Sequence, residues 1–455
     1  MGERTRLLSA GSVSSVTLLY PQDEELPAPR PLPALLQFWR TGAVVVLPCL
    51  LAPLLSAGLE ARCGFVILLM SGYWVLEVVP LPVTALLPVV LLPLLGVMDT
   101  GAVCQQYLKE SNMMFIGGLI TAIAVESSGL HQAIALKALL LLGTSPRLLM
   151  LGFILPTAFL SMWISNTATT AMMVPMVEAV LAELGDKGGV SSRIRVMVYL
   201  SVAYAANTGG TGTLTGTGPN LVLKGMLGTL FSGRTPVNFA SWMGYAVPCM
   251  LVNLLICWAW LQLYFLGWRG GVGEEVGGGV RVKKLLKERY RQLGGWTFRQ
   301  VAVLLLFLLL VLLWFTRDPQ FITGWGELFT RPGNPPCRTA HQLVDDASPA
   351  LLVVFLLFVL PSELNFWPWV PLASSRSSPS LLDWRTVHDR FPWGVALLFG
   401  GGFALAEAAS QSGLSSWVGE QLTVLAALPP WALVLAVCVL TATVTEVTND
   451  DQDNT

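Results

Sequence analysis

Apolar stretches of bilayer length recur along this chain and constrain its fold more than any other feature. They run at about 42–59, 64–81, 82–97, 113–129, 195–207, 218–230, 242–267, 300–316, 348–361 and 392–409. A further pair lies at 147–164 and 167–184, and another stretch begins near 428. A helix needs about 20 apolar residues to cross the hydrocarbon core. The chain therefore reads as an all-α polytopic membrane protein. Several stretches are short or interrupted by Gly and Pro, and in transporters such broken helices mark the substrate site. Composition agrees, with 54% hydrophobic and 12% charged residues against about 25% charged in a soluble domain. The net charge of -1 supplies no field for nucleic acid, and no nucleic-acid module is present.

Residues 1–38 are polar and Pro-rich, include Asp23-Glu24-Glu25 and lack a short apolar core near Met1. They read as a cytosolic N-terminal tail without a signal peptide. The 7 cysteines and 3 histidines are scattered without metal-ligand spacing, which argues against a zinc site and for thiols that fill cores or face lipid. The densest basic segment, 269–299, holds Arg269, Arg281, Lys283, Lys284, Lys287, Arg289, Arg291 and Arg299. It is expected to be a cytoplasmic loop. Counting back puts the N-terminus inside as well, provided that 147–184 is a re-entrant hairpin and 195–230 one broken span. Segment 317–349 then lies outside.

The chain also resembles itself. Gly117-Gly118 through Ser128-Gly129-Leu130 matches Gly401-Gly402 through Ser412-Gly413-Leu414 at an offset of 284 residues. Two readings are open. The stretches are either similar helix-packing faces of small residues, or parts of two inverted halves that each contribute to a midplane site. The second reading divides the chain into a first transmembrane repeat at 39–268, the basic loop at 269–299, an incomplete second repeat at 300–448 and a divergent acidic tail at 449–455.

Two polar motifs carry the chemistry. In Ser161-Met162-Trp163-Ile164-Ser165-Asn166-Thr167-Ala168-Thr169-Thr170, two apolar arms flank a short polar tip. A polar cluster inside a membrane is costly unless something occupies it. If the second arm starts near Thr167, its free N–H groups and positive dipole end suit an anion. The carbonyls that end the first arm, with Ser and Asn oxygens, suit a hard cation such as sodium. The bland alternative is a capped helix break. The second motif, Asn207-Thr208-Gly209-Gly210-Thr211-Gly212-Thr213-Leu214-Thr215-Gly216-Thr217-Gly218-Pro219-Asn220, is too rich in Gly and Thr for regular helix. Pro219 suits the first turn of a new helix. No Gly-Lys-Ser/Thr follows, which excludes a phosphate loop. Glu77, Glu126 and Glu407 are the candidate buried charges; Glu126 and Glu407 lie at helix ends, where a solvated or structural role is the plainer reading. Neither motif contains Arg or Lys, so an anion would be held by helix dipoles, hydroxyls and bound sodium.

These residues resemble the divalent anion/sodium symporters, solute carrier family 13. The resemblance rests on 161–175, Gly212–Asn220, Leu382-Asp383-Trp384 and 400–414, spans roughly 40–448, and is nearest to the sodium-dependent citrate and dicarboxylate transporters. It implies symport of citrate, succinate or similar carboxylate anions with co-transported Na+ across the plasma membrane. It also implies an elevator-like movement against a dimeric scaffold, hence a homodimer in membrane lipid. By the same resemblance Ser161, Ser165, Asn166 and Gly218 line a sodium site, and Ser165, Asn166, Thr167, Thr217 and Gly218 contact substrate carboxylates. No catalytic residues are expected: an enzyme would need paired groups at membrane depth, and His131 stands alone near an apolar stretch.

The pattern departs from the family's at its second tip. The offset places that tip at Asn449-Asp450-Asp451, after Thr445-Glu446-Val447-Thr448, where the family has a Ser-Asn-Thr variant. The return arm, second broken helix and last span do not follow. The expectation is impaired or lost transport and possible retention in the endoplasmic reticulum. Two further readings stand beside carboxylate symport: a sulfate symporter of the same family, and a non-transporting chain that dimerises with a full-length carrier.

Overall fold

The computed structural model describes residues 38–141, 146–185, 192–231, 237–266, 279–319, 322–331, 341–363, 379–421 and 429–449. The N-terminal tail and the acidic tail beyond Asn449 lie outside the described residues. The architecture is helical, and a two-residue antiparallel ribbon pairs Thr330–Arg331 with His341–Gln342. Among the described residues five helical segments are long and apolar enough to cross a membrane: Trp39–Ser56, Thr100–Ser127, Phe239–Phe265, Phe298–Arg317 and Trp393–Gln411. This is an all-α, multi-pass membrane protein.

In chain order the helices are α1 (Trp39–Leu51), α2 (Leu59–Val75), α3 (Leu81–Thr84), α4 (Leu87–Leu94), α5 (Thr100–Tyr107), α6 (Glu110–Ser127) and α7 (Leu130–Leu141). Then come α8 (Pro146–Ser161), α9 (Asn166–Gly185), α10 (Ser192–Gly210), α11 (Gly218–Leu230), α12 (Phe239–Leu266) and α13 (Gly279–Gln292). They are followed by α14 (Phe298–Arg317), α15 (Ala347–Val359), α16 (Trp384–Arg390), α17 (Trp393–Gln411), α18 (Leu414–Gln421) and α19 (Pro430–Asn449).

Two apolar cores form. The larger is built around α8, α9 and α10, with α6, α14 and α15 against them; Phe153, Met150, Met173 and Val202 are fully buried in it. The smaller joins α2 and α5 to α17 through Cys63, Val66, Val103, Ala404 and Ala408.

The offset of 284 residues recurs in the helix boundaries. Thr100 and Trp384 open α5 and α16, Leu130 and Leu414 open α7 and α18, and Pro146 and Pro430 open α8 and α19. Ser127 and Gln411 close α6 and α17. Gly129 and Gly413, which follow, adopt left-handed φ values of 73° and 83°. Each takes the conformation in which a helix commonly ends on glycine. Counterparts also touch one another. The Asn112 amide donates to Ala396 O at 3.1 Å, and Phe115 meets Phe399 edge to face at 4.8 Å.

Candidate functional site

The Ser-Asn-Thr tip is the link between α8 and α9. α8 stops at Ser161, where Trp163 N–H and Ile164 N–H both donate back to Leu160 O. α9 starts at once, with the Ser165 hydroxyl accepting from Ala168 N–H at 3.3 Å and Ser165 O from Thr169 N–H at 2.9 Å. Ser165 is thus a helix cap, and its hydroxyl keeps acceptor capacity to spare. Ser165 and Thr167 are exposed, Asn166 is half-buried and Ser161 is fully buried.

The broken helix meets this tip. α10 remains helical through Asn207-Thr208-Gly209-Gly210, so the unwound stretch is 211–217, shorter than the Gly/Thr composition suggests. Absence of side chains lets it come close. A Cβ on Gly209 would enter the backbone of Ala158, one on Gly210 would strike Asn166 Oδ1, and one on Gly216 would strike Gly210 O and Met162 O. Thr213 Oγ1 donates to Met162 O. The Asn220 amide ties Gly210 O at 3.1 Å and Thr213 O at 2.7 Å, fixing the loop's shape.

Around Ser161 the oxygens converge. Its hydroxyl lies 2.7 Å from Asn166 Oδ1 and 2.7 Å from Ala206 O, and the Asn166 amide donates to Asn207 Oδ1 at 3.3 Å. One hydroxyl proton cannot serve two acceptors. The cluster therefore has more oxygen lone pairs than protons, which is the donor set a hard cation takes. Ser161 and Asn166 are brought together here, while Ser165 is exposed and caps α9. Thr217 and Gly218 stand at the start of α11, half-buried; Thr217 is extended, with φ -148° and ψ 149°, and makes no side-chain cap bond. The face of Gly218 abuts the Phe399 ring, leaving no room for a side chain.

The three candidate carboxylates are not the buried charges. Glu77, Glu126 and Glu407 are only half-buried. Glu126 pairs with Arg390 at 2.9 Å, and Glu407 accepts from Gln411 at 2.9 Å. Among the described residues the buried charges are Lys224, Arg317 and Asp346. Lys224 Nζ and Arg317 Nε each lie 2.6 Å from the Asp346 carboxylate, and Trp314 Nε1 donates to Asp346 O at 2.9 Å. Asp345 lies 3.1 Å from Arg317 and Glu110 3.7 Å from Lys224. Burial raises the Asp345 carboxyl, but its hydrogen bond with Glu110 and the nearby Lys224 and Arg317 outweigh that and hold it below the usual range. This cluster pins α11 to α6, α14 and the entry to α15. Sequence reading missed it because Lys224 falls one turn beyond Asn220, and Arg317 and Asp346 sit at the edges of apolar stretches. Lys224 within an otherwise apolar segment was the available signal.

Apolar spans, a broken hairpin and a broken helix with their polar ends packed together define a membrane carrier, a class in which such breaks build the binding site. The family model for the sodium:sulfate symporter transmembrane region matches residues 36–449. The mouse Na(+)/citrate cotransporter is 40% identical over 89% of this chain and 78% of its own length. Human solute carrier family 13 member 2 is 39% identical over 90% and 78%, and human Na(+)/dicarboxylate cotransporter 3 is 38% identical over 90% and 78%. The chain belongs to the sodium:sulfate symporter family, which comprises transporters rather than enzymes.

Proposed function

We propose that this chain is a sodium-coupled symporter of di- and tricarboxylates, citrate and succinate among them, working as a homodimer in the plasma membrane. The names of its relatives supply the substrate class. The observation that carries the reading is the surplus of oxygen acceptors around Ser161. A cation there would be held by Ser161, Ser165 and Asn166, with Gly218 on the facing segment. The carboxylate would lie on the exposed side, against Ser165, Asn166, Thr167, Thr217 and Gly218, under the positive end of α9. With no cationic side chain in either motif, substrate binding should require sodium.

The test is binding and uptake of labelled citrate and succinate by the purified chain in liposomes, in sodium and in choline. Expected is sodium-dependent binding that Asn166→Ala weakens by more than about tenfold. Equal binding in choline, or an unaffected Asn166→Ala, would overturn the reading. Binding without uptake would mean that the one Ser-Asn-Thr tip within residues 1–455 binds but does not carry, and co-expression with a longer relative would then test a regulatory, dimerising role. The description of the matching family favours a second reading, sulfate symport. Sulfate displacing citrate more strongly than succinate does would select it.

A further inference from the structure

Helix α13 is unused by the transport reading. Lys283, Lys284, Lys287, Arg289 and Arg291 are all exposed, with Glu288 the one acid among them. None of these five cations has an ion-pair partner among the described residues. Lys283, Lys287 and Arg291 follow one another at four-residue spacing and so form a single ridge. The other face is apolar and seated: Leu286 is buried, and Tyr290 and Leu293 pack beside it against the larger core, where α13 contacts α7 and α9.

Position in the chain sets its level. α13 joins α12 to α14, each long and apolar enough to cross a membrane, so it lies where both reach a bilayer surface. Exposed aromatic residues flank it: Tyr264, 73% exposed, near the end of α12, and Trp296, 49% exposed, just before α14. Tyr and Trp favour headgroup depth.

We infer that α13 is an interfacial helix whose cations bind the headgroups of anionic phospholipids in that leaflet. A loop that only sets orientation needs positive charge; it does not need a helix with an apolar face docked on the protein and a ridge of unpaired cations turned outward. A free interfacial helix buries its apolar face in the membrane; α13 buries its own on the protein, so its cations are what is left to meet the leaflet, and their charge complements an anionic one. Its seat on α9 ties the bound lipid to the arm that starts at Asn166. The inference does not depend on the substrate.

The experiment titrates the purified full chain in neutral detergent with fluorescent phosphatidylserine and phosphatidylcholine. Wild type should prefer phosphatidylserine by about tenfold or more, and the preference should collapse at about 1 M salt, where screening acts within a few ångström. Replacing all five cations by Gln should abolish the preference; exchanging Lys for Arg and Arg for Lys should keep it. No preference in wild type, a preference that survives high salt, or one untouched by the Gln variant would overturn the inference. So would displacement of phosphatidylserine by millimolar inorganic phosphate, which would indicate a small-anion site. If the Gln variant does not fold, the salt series on wild type still decides.

Discussion

α8 and α19 begin at counterpart prolines and are both apolar, yet they occupy opposite environments. In α8, Leu149, Met150, Phe153, Ile154, Ala158 and Leu160 are buried. In α19 no described side chain is buried, and Leu435 and Leu440 are 59% and 66% exposed. Local structure is nevertheless shared. Thr157 donates to Phe153 O at 2.6 Å, and its counterpart Thr441 donates to Val437 O at 2.8 Å. Each hydroxyl satisfies itself on its own helix, so each tolerates an apolar surrounding. The arms differ in what faces them. α8 is roofed by α10, α9 and α12 and breaks at Ser161. α19 continues four residues past the counterpart of that break, and side chains beyond Thr443 are outside the described set. A helix is thus specified by its own sequence, but a site is specified by the helix that meets it.

The largest expected difference between the arms is functional. Asn166→Ala removes an oxygen from the cluster and should cut sodium-dependent citrate binding by more than about tenfold, the loss of a hydrogen bond to a charged group being about 1.5–3 kcal/mol. Isothermal titration in sodium would show it, and unchanged affinity would separate the tip from binding.

Among effects on stability, the largest are expected at the charges that anchor α11. Asp346→Asn leaves Lys224 and Arg317 buried with too little compensation and should destabilise by about 3–5 kcal/mol. Glu126→Gln, at the half-exposed pair with Arg390, should cost about 1 kcal/mol or less. Thermal unfolding in detergent compares them, and equal losses would deny the cluster its anchoring role.

The counterpart pair Phe153→Ala and Val437→Ala tests the comparison itself. Phe153 is fully buried, so its truncation should cost about 3–5 kcal/mol. Val437, 53% exposed, should change stability by no more than about 0.5 kcal/mol. A large loss at Val437 would mean that α19 has a partner in the folded protein.

Much of this was legible in the sequence. Five of the apolar stretches are helices long enough to cross a membrane, and the break between α8 and α9 followed from Ser161–Thr170, because a polar break between two apolar arms admits few conformations. The offset of 284 residues was visible in fourteen positions and extends to helix ends and glycine conformations. Burial was not legible. Glu126 and Glu407 sit in apolar stretches but reach the surface, whereas Asp346 and Arg317 sit at the edges of such stretches and are enclosed. Sequence places a charge along a helix; only packing decides which side of the helix is covered. The exchange of Gly210 and Gly216 contacts with the tip was likewise invisible, because close approach depends on the partner backbone.

The smallest effect concerns pH. The Asp345 carboxyl is held below its ordinary value in the folded chain, so its ionised form is favoured by folding. Its contribution is fully present above the unfolded value of 3.8 and is lost as pH falls through the lower folded value. Its side chain is 40% exposed, so solvent screens the pairing and the effect should be modest. Wild type should therefore lose stability below about pH 4 slightly more steeply than Asp345→Asn by the same linkage. Parallel curves throughout would mean that Arg317 answers to Asp346 alone, and that the anchor of α11 is a buried triad rather than a network reaching the surface.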